Sequence, residues 1–273
     1  MDCYKQRKTV QKRIKPGQLS PRQIQQINFL WYSVPVNKNI EILYEDGIIL
    51  IVDKPSGWLT INDRYDPEAP VILNTLEKTY GKLFVVHRID KDTSGVLLFA
   101  RNAQAHSFLN EQFFNHTVQK KYLACIRGAP EQVEWSCELP LRADADKMHR
   151  TIIDARRGKD AITRFKLVER LGQYSIVEAY PETGRTHQIR VHLAATGYPI
   201  ACDPLYGDGK PILLSLLKRR WKGDKYEEKP LIARTALHAE YLSFIHPVTK
   251  EQMEINSPIP RDMKAVFKQL RAL

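Results

Sequence analysis

The chain has 273 residues, 43% hydrophobic and 27% charged, with 13 glycines and 16 prolines, a composition that can bury an ordinary core and excludes collagen-like, low-complexity and wholly disordered proteins. Forty-two lysines and arginines against 31 aspartates and glutamates leave a formal charge of +11, which favours a polyanionic partner, nucleic acid or an anionic membrane surface. No apolar run approaches the ~18 residues of a bilayer crossing, the basic start lacks a secretory apolar segment, and four scattered cysteines without a C-x-x-C pair point to reduced thiols instead of a disulfide framework or a zinc site.

Residues 1–40 hold eight bases and one acid, +7 of the total. With Pro16, Gly17, Pro21 and Pro35 and little periodicity, they read as a basic, partly disordered extension, although Pro21 to Ile27 can open a short helix. A solubilising tail is the bland alternative. The folded domain is expected over 41–273. Ile42-Leu43-Tyr44 and Ile48 to Val52, separated by Gly47, read as two strands. Lys54-Pro55-Ser56-Gly57 breaks the second into a loop, and Val71 to Leu76 has helical spacing that Gly81 ends. Strands are expected at Leu83–Val86, Gly95–Ala100, Tyr122–Ile126, Ala161–Leu167, Ser175–Tyr180 and Leu242–Ile245. Helices are expected at about 103–115, Thr186–Thr196, Pro211–Lys222 and Asp262–Leu273. Strands outnumber helices and alternate with them irregularly, which predicts an α+β fold on a mixed, largely antiparallel sheet.

Two polar clusters interrupt the apolar strands. In His87-Arg88-Ile89-Asp90-Lys91-Asp92-Thr93-Ser94-Gly95, charges between buried strands must be paired or solvated in a cleft; this is the place to look for a catalytic acid, the alternative being a capped turn. In Thr183 to Leu193, His187 and His192 are spaced wrongly for a shared metal, while Arg185, His187 and Arg190 can present a cationic edge to phosphate or carboxylate. The plain alternative there is a solvated basic helix. Asp203 to Gly209 reads as turn punctuation. No Walker A, G-x-G-x-x-G or G-x-S-x-G pattern is present, so phosphate-cradling, dinucleotide and serine-hydrolase sites have no motif support.

Taken in order, these segments resemble the RluA-type RNA pseudouridine synthases. The resemblance runs from Ile42 to Asp46 and Asp53-Lys54-Pro55-Ser56-Gly57, through H-R-I-D-K-D-T-S-G at 87–95, Lys120 to Ala124 and T-G-R-T-H-Q-I-R at 183–190, to Gly197–Ile200, Asp203–Gly207, Leu237-His238-Ala239 and His246-Pro247. It spans about 230 residues of the chain. It implies a pseudouridine synthase fold, a long mixed sheet with helices and loops around a central basic cleft. Asp90 takes the family's nucleophile position, Tyr122 the tyrosine that packs on the target base, and Arg190 the arginine that pairs with the catalytic carboxylate. Arg88 matches a residue that enters the space a flipped uridine leaves. His87, Arg185 and His187 are assigned with Arg88 to RNA contacts.

The chain departs from some members in having the short basic arm where an S4 RNA-binding module stands. The implied partner is ribosomal or transfer RNA. No cofactor, metal, membrane or obligatory protein partner is implied, and a cytoplasmic monomer is expected. A non-catalytic RNA-binding factor would share charge and fold without needing Asp90, Tyr122 and Arg190 together. A carboxylate glycosidase would need a second acid, for which Asp92 is the neighbour in sequence.

Overall fold

The computed structural model describes residues 40–63, 66–224 and 226–273. Contacts divide the chain into residues 1–35 and 36–273, and all the described residues belong to the second unit. The basic extension and the short helix expected within it lie outside the described residues, Ile40 excepted.

The sheet runs in the order β1-β2-β4-β11-β5-β10-β9-β6, with β3 added to β4 and β12 to β11. Its first half comprises β1 (Glu41–Glu45), β2 (Ile49–Lys54), β3 (Phe84–Val85) and β4 (Ser94–Ala100), with helices α1 (Ile72–Tyr80) and α2 (Ala103–Phe114). Every residue of β4 is buried, as are all but one of β2, because apolar side chains leave both faces. Ile49, Ile51, Val96 and Leu98 pack with Ala105 and Leu109 of α2, while Leu50, Val52, Leu97 and Phe99 pack with Ile72 and Leu76 of α1. A strand covered on both faces reads as a continuous apolar run, which is why these strands are visible in the sequence.

The second half holds β5 (Gln119–Arg127), β6 (Glu134–Cys137), β9 (Thr163–Leu171) and β10 (Tyr174–Pro181). It is covered on one face by α3 (Gln188–Ala195) and the C-terminal helix α5 (Arg261–Arg271), whose Met263, Val266, Phe267 and Leu270 join the core. β9 alternates buried and exposed residues over its first six positions, the period of a half-covered strand. The hairpin of β7 (Leu141–Arg142) and β8 (Ile152–Ile153) lies off the main sheet, and β12 (Gln252–Asn256) is an outlying strand on β11 (Leu237–Ile245). Neither these two-residue strands nor the polar β6 and β12 carry enough apolar signal to be read from the sequence.

The two halves meet where β11 pairs with β4, a parallel contact of only two positions, His238 with Ser94 and Ala239 with Gly95; the remaining ladders are antiparallel. Gly95 has φ +117, and a Cβ there would lie 2.1 Å from the Ala239 carbonyl oxygen, so only glycine admits this approach. Ser94 and His238 are hydrogen-bonded across the seam at 3.0 Å. The architecture is the expected α+β one on a mixed, mostly antiparallel sheet. One expected helix is corrected: over Pro211–Lys222 only Leu214–Leu217 (α4) is helical. Ile212 instead bridges to Ile232, which holds the chain extended just before the helix begins.

Candidate active site

The first cluster forms the loop from β3 into β4, and its backbone is fastened by the D-K-P-S-G loop. Lys54, wholly buried, donates from Nζ to the carbonyls of Lys91 (3.0 Å), Trp58 (2.7 Å) and Pro55 (3.1 Å). The Ser56 hydroxyl donates to the Asp92 carbonyl at 2.8 Å, the Gly57 N–H to the Lys91 carbonyl at 2.9 Å, and the Thr60 hydroxyl to the Ile89 carbonyl at 3.2 Å. Burial pulls the Lys54 ammonium down to about 7, against the opposing pull of Asp90 and Asp92. Three carbonyls satisfy its three donors, which is how a buried amine is tolerated.

The second cluster is a turn entering α3. Gln188 organises it: its carbonyl oxygen accepts from the Thr183 hydroxyl (2.7 Å) and the Arg185 N–H (2.9 Å), and its amide donates to the Ile162 carbonyl and the Thr163 hydroxyl, both at 2.9 Å. His187 at the helix start is left-handed, φ 54. This turn lays Arg190 against Asp90, 100 residues away, at 3.4 Å. Arg190 is itself held by Asp203, Nε to Oδ2 at 2.7 Å and the second guanidinium nitrogen to Oδ1 at 2.8 Å. Asp203 is fully buried and also caps the backbone N–H groups of Leu205 and Tyr206. Burial, the largest single influence on each, would raise the Asp203 carboxyl and lower the guanidinium, but the hydrogen bonds and opposite charges together outweigh it, so Asp203 sits below and Arg190 above its ordinary value.

These groups line a cavity of about 570 Å³ whose walls include Arg88, Lys120, Tyr122, Arg185, Arg190 and, as the one carboxylate among the described lining residues, Asp90. The Asp90 side chain is 25% exposed against 6% for Arg190, so the acid is open to a ligand while its cation is not. Burial, then the Asp90 charge, pushes the Tyr122 phenol well above its ordinary value, keeping it a neutral ring with a protonated hydroxyl. Lys120, drawn down to about 8 by burial, donates to the Thr183 carbonyl at 3.2 Å. A second cavity of about 700 Å³ shares Arg88, Ile89, Asp90 and His187, so Asp90 stands on the wall between two recesses.

The structure therefore brings Asp90, Tyr122, Arg190, Arg88, Arg185, His87 and His187 to one place, but it gives the two histidines structural work. His87 accepts the Leu98 N–H at Nε2 (3.1 Å) and stacks on Phe113 at 4.9 Å, and burial lowers it to about 3; it is a neutral wall residue, not a cation. His187 is bonded through Nδ1 to the Tyr206 hydroxyl at 2.9 Å, and burial lowers it too. Arg88 is exposed, with one hydrogen bond, to the Thr186 hydroxyl at 3.2 Å. Arg185 holds the Asp160 carbonyl at 3.0 Å. His192, whose spacing is unfit to share a metal with His187, is buried between Thr163 and the Leu139 carbonyl. Asp92, the second acid that a glycosidase would need, lines neither cavity. Three residues that matter to the geometry, Lys54, Lys120 and Asp203, carry no sequence mark of their role; D-P-L-Y-G looks like punctuation because its partner lies 13 residues away on a buried helix.

Residues 48–195 match the family described as RNA pseudouridylate synthase. The chain belongs to that family. It is 33% identical over 249 residues to ribosomal large subunit pseudouridine synthase D of Zymomonas mobilis, covering 88% of this chain and 75% of that one. It is 34% identical over 248 residues to tRNA pseudouridine synthase C of Haemophilus influenzae, covering 84% and 97%. Among solved structures, human RNA pseudouridylate synthase domain containing 4 shares the fold with a TM-score of 0.65 at 24% identity, over 85% of this chain and 93% of that chain. This pseudouridine synthase is thus an RluA-type isomerase that acts on RNA.

Proposed function

We propose that this pseudouridine synthase isomerises uridines of structured ribosomal or transfer RNA, flipping the target base into the 570 Å³ cavity and using Asp90 as nucleophile. Relatives named for both RNA classes support the substrate. The observation that carries the mechanism is the placing of Asp90, the one carboxylate among the described residues lining the 570 Å³ cavity, open to it and 3.4 Å from a guanidinium that Asp203 holds still.

The reaction detaches uracil from ribose, turns it and rejoins it through C5, at constant composition and without a redox change. An ionised carboxylate can attack C1′ of the ribose or C6 of the base, or take a ribose proton to open an elimination route, and each requires it charged and close to its target. A neighbouring guanidinium supplies the first condition, and the fastened loop backbone supplies the second. Tyr122 offers a flat face to the flipped ring, with its hydroxyl at hand for the late transfer of the C5 proton. Extracting a stacked uridine costs a few kcal/mol. Phosphate contacts by Arg185, and Arg88 filling the vacated space, offset that cost. The work is expected in the cytoplasm by the single chain; no helix among the described residues is long and apolar enough to cross a membrane.

Asp90→Asn is the test. The amide keeps the shape but is a far poorer nucleophile, so tritium release from 5-tritiated uridine in transcript RNA should fall to background while RNA affinity holds. Substantial release by a folded Asp90→Asn protein would overturn the assignment.

A further inference from the structure

Outside the cavity, the segment between Ile212 and Ile232 has no part in the site described above. Its ends are clipped together, the Ile212 N–H to the Ile232 carbonyl at 2.9 Å and the Leu231 N–H to the Ile212 carbonyl at 2.8 Å. Beyond the clip the chain makes an 18-residue excursion, 213–230. Both stems lead directly to the active site. The incoming stem carries Asp203 and Tyr206, bonded to Arg190 and His187. The outgoing stem carries Arg234, which donates to the Asp92 carbonyl at 3.3 Å.

The excursion sorts its charges. Lys218, Arg219, Arg220 and Lys222 are all exposed, and none is within ion-pair distance of a carboxylate among the described residues. Of the three acids in the excursion, Glu228 accepts the Ser215 N–H at 2.8 Å and Asp224 the Tyr226 N–H at 2.8 Å, while Glu227 is exposed. Aromatic rings sit among the free cations. Tyr226 is fully exposed. The Trp221 indole lies so close over Gly223 that a Cβ there would approach it to 2.3 Å, which places the ring beside the basic run. Four exposed cations without an ion-pair partner among the described residues, with interleaved aromatic rings, fit a phosphate backbone whose bases are free to stack.

We propose that the 213–230 excursion is a second RNA-binding surface of this enzyme, engaging a stretch of the substrate RNA away from the flipped uridine, with phosphates on Lys218, Arg219, Arg220 and Lys222 and an unpaired base on Trp221 or Tyr226. The inference rests on the reading of structured RNA as substrate. Because the loop is clipped at its base and its cations are exposed, its charges can be removed without disturbing the fold.

The test uses the full chain carrying Lys218→Gln, Arg219→Gln, Arg220→Gln and Lys222→Gln together, and separately Trp221→Ala. RNA affinity is measured by filter binding across a salt series, and pseudouridine formation by tritium release on a long transcript and on the minimal stem–loop around the same uridine. Four lost phosphate contacts should make the log–log salt slope shallower by roughly 3 on the transcript. KM there should rise about tenfold or more while kcat holds, and the stem–loop should not discriminate wild type from variant. Trp221→Ala should weaken binding without changing the slope. An unchanged slope and KM on the transcript, in a variant with wild-type thermal unfolding, would overturn the proposal. A wild type that forms no pseudouridine in any RNA would instead overturn the substrate reading, and the binding slopes would still decide the loop.

Discussion

Arg190 and Arg88 both reach the cavity that holds Asp90, and they are held in opposite ways. Arg190 is 5% exposed, comes from a helix packed into the core, and is engaged twice by a fully buried carboxylate. Arg88 comes from the loop just before Asp90, is exposed, and touches one hydroxyl of the facing turn. The first arrangement suits a charge that must stand at one distance throughout a reaction, since a guanidinium locked by a second carboxylate needs no reordering. The second suits a side chain that has to leave its place and enter another. Burial and partner count thus separate a fixed cation from a movable one where residue type does not.

Removing the lock should have the largest effect. Asp203→Asn turns an amide donor toward the Arg190 guanidinium and leaves a buried charge half paired, a change that costs roughly 3–5 kcal/mol. At roughly 2–4 °C per kcal/mol for a protein of this size, calorimetry should show a loss of about 10 °C, with tritium release near background. The double variant Arg190→Met with Asp203→Leu should regain much of that stability but none of the activity. A single Asp203→Asn variant melting within about 2 °C of wild type would dissolve the contrast between the two arginines.

The wall residue His87 should show itself in acid. Its folded value is about 3 against an ordinary 6.5, so the unfolded chain binds a proton that the folded protein refuses; the stabilisation is complete above about pH 6.5 and is lost progressively as pH falls toward 3. Between about pH 7 and pH 5 the wild type should lose about 1–2 kcal/mol more than His87→Gln in urea unfolding. Parallel profiles would mean that His87 is charged after all and belongs with the RNA contacts.

Arg88→Ala should barely move stability, within about 0.5 kcal/mol, as an exposed side chain with one hydroxyl partner. Its rate should drop on a transcript whose target uridine is base-paired and change little on an unstructured oligonucleotide, because only the former has a vacated space to fill. Equal losses on both substrates would place Arg88 with the fixed groups.

The sequence shows what repeats locally and conceals what is joined at a distance. The apolar runs of β2 and β4 and the alternation in β9 announce themselves because burial on two faces or one leaves a period of its own. The catalytic candidates are legible through the resemblance of their two strings, not through spacing, since Asp90 and Arg190 meet only after 100 residues have folded between them. Lys54 and Asp203 stay hidden for the same reason: a lysine in a K-P-S-G loop and an aspartate before proline look like turn chemistry until the carbonyls and the guanidinium they serve come into view. The helix expected at 211–222 fails on a tertiary contact, the Ile212–Ile232 bridge, that no local propensity encodes.

The two-position seam at Gly95 carries a further consequence. Asp90 hangs from the half of the sheet built on β2 and β4, whereas Tyr122 and Arg190 belong to the half built on β5, β9 and β10, and the apolar cluster of Val96, Leu98, Leu242 and Phe244 spans the seam between β4 and β11. Neither half owns the chemistry. An opening confined to the two-position ladder would part Asp90 from Arg190 while that cluster still held β4 to β11, in a molecule that spectroscopy would still count as folded. Deuterium uptake at the amides of residues 94–96 and 238–240 should therefore track the fraction of competent enzyme more closely than any global unfolding signal.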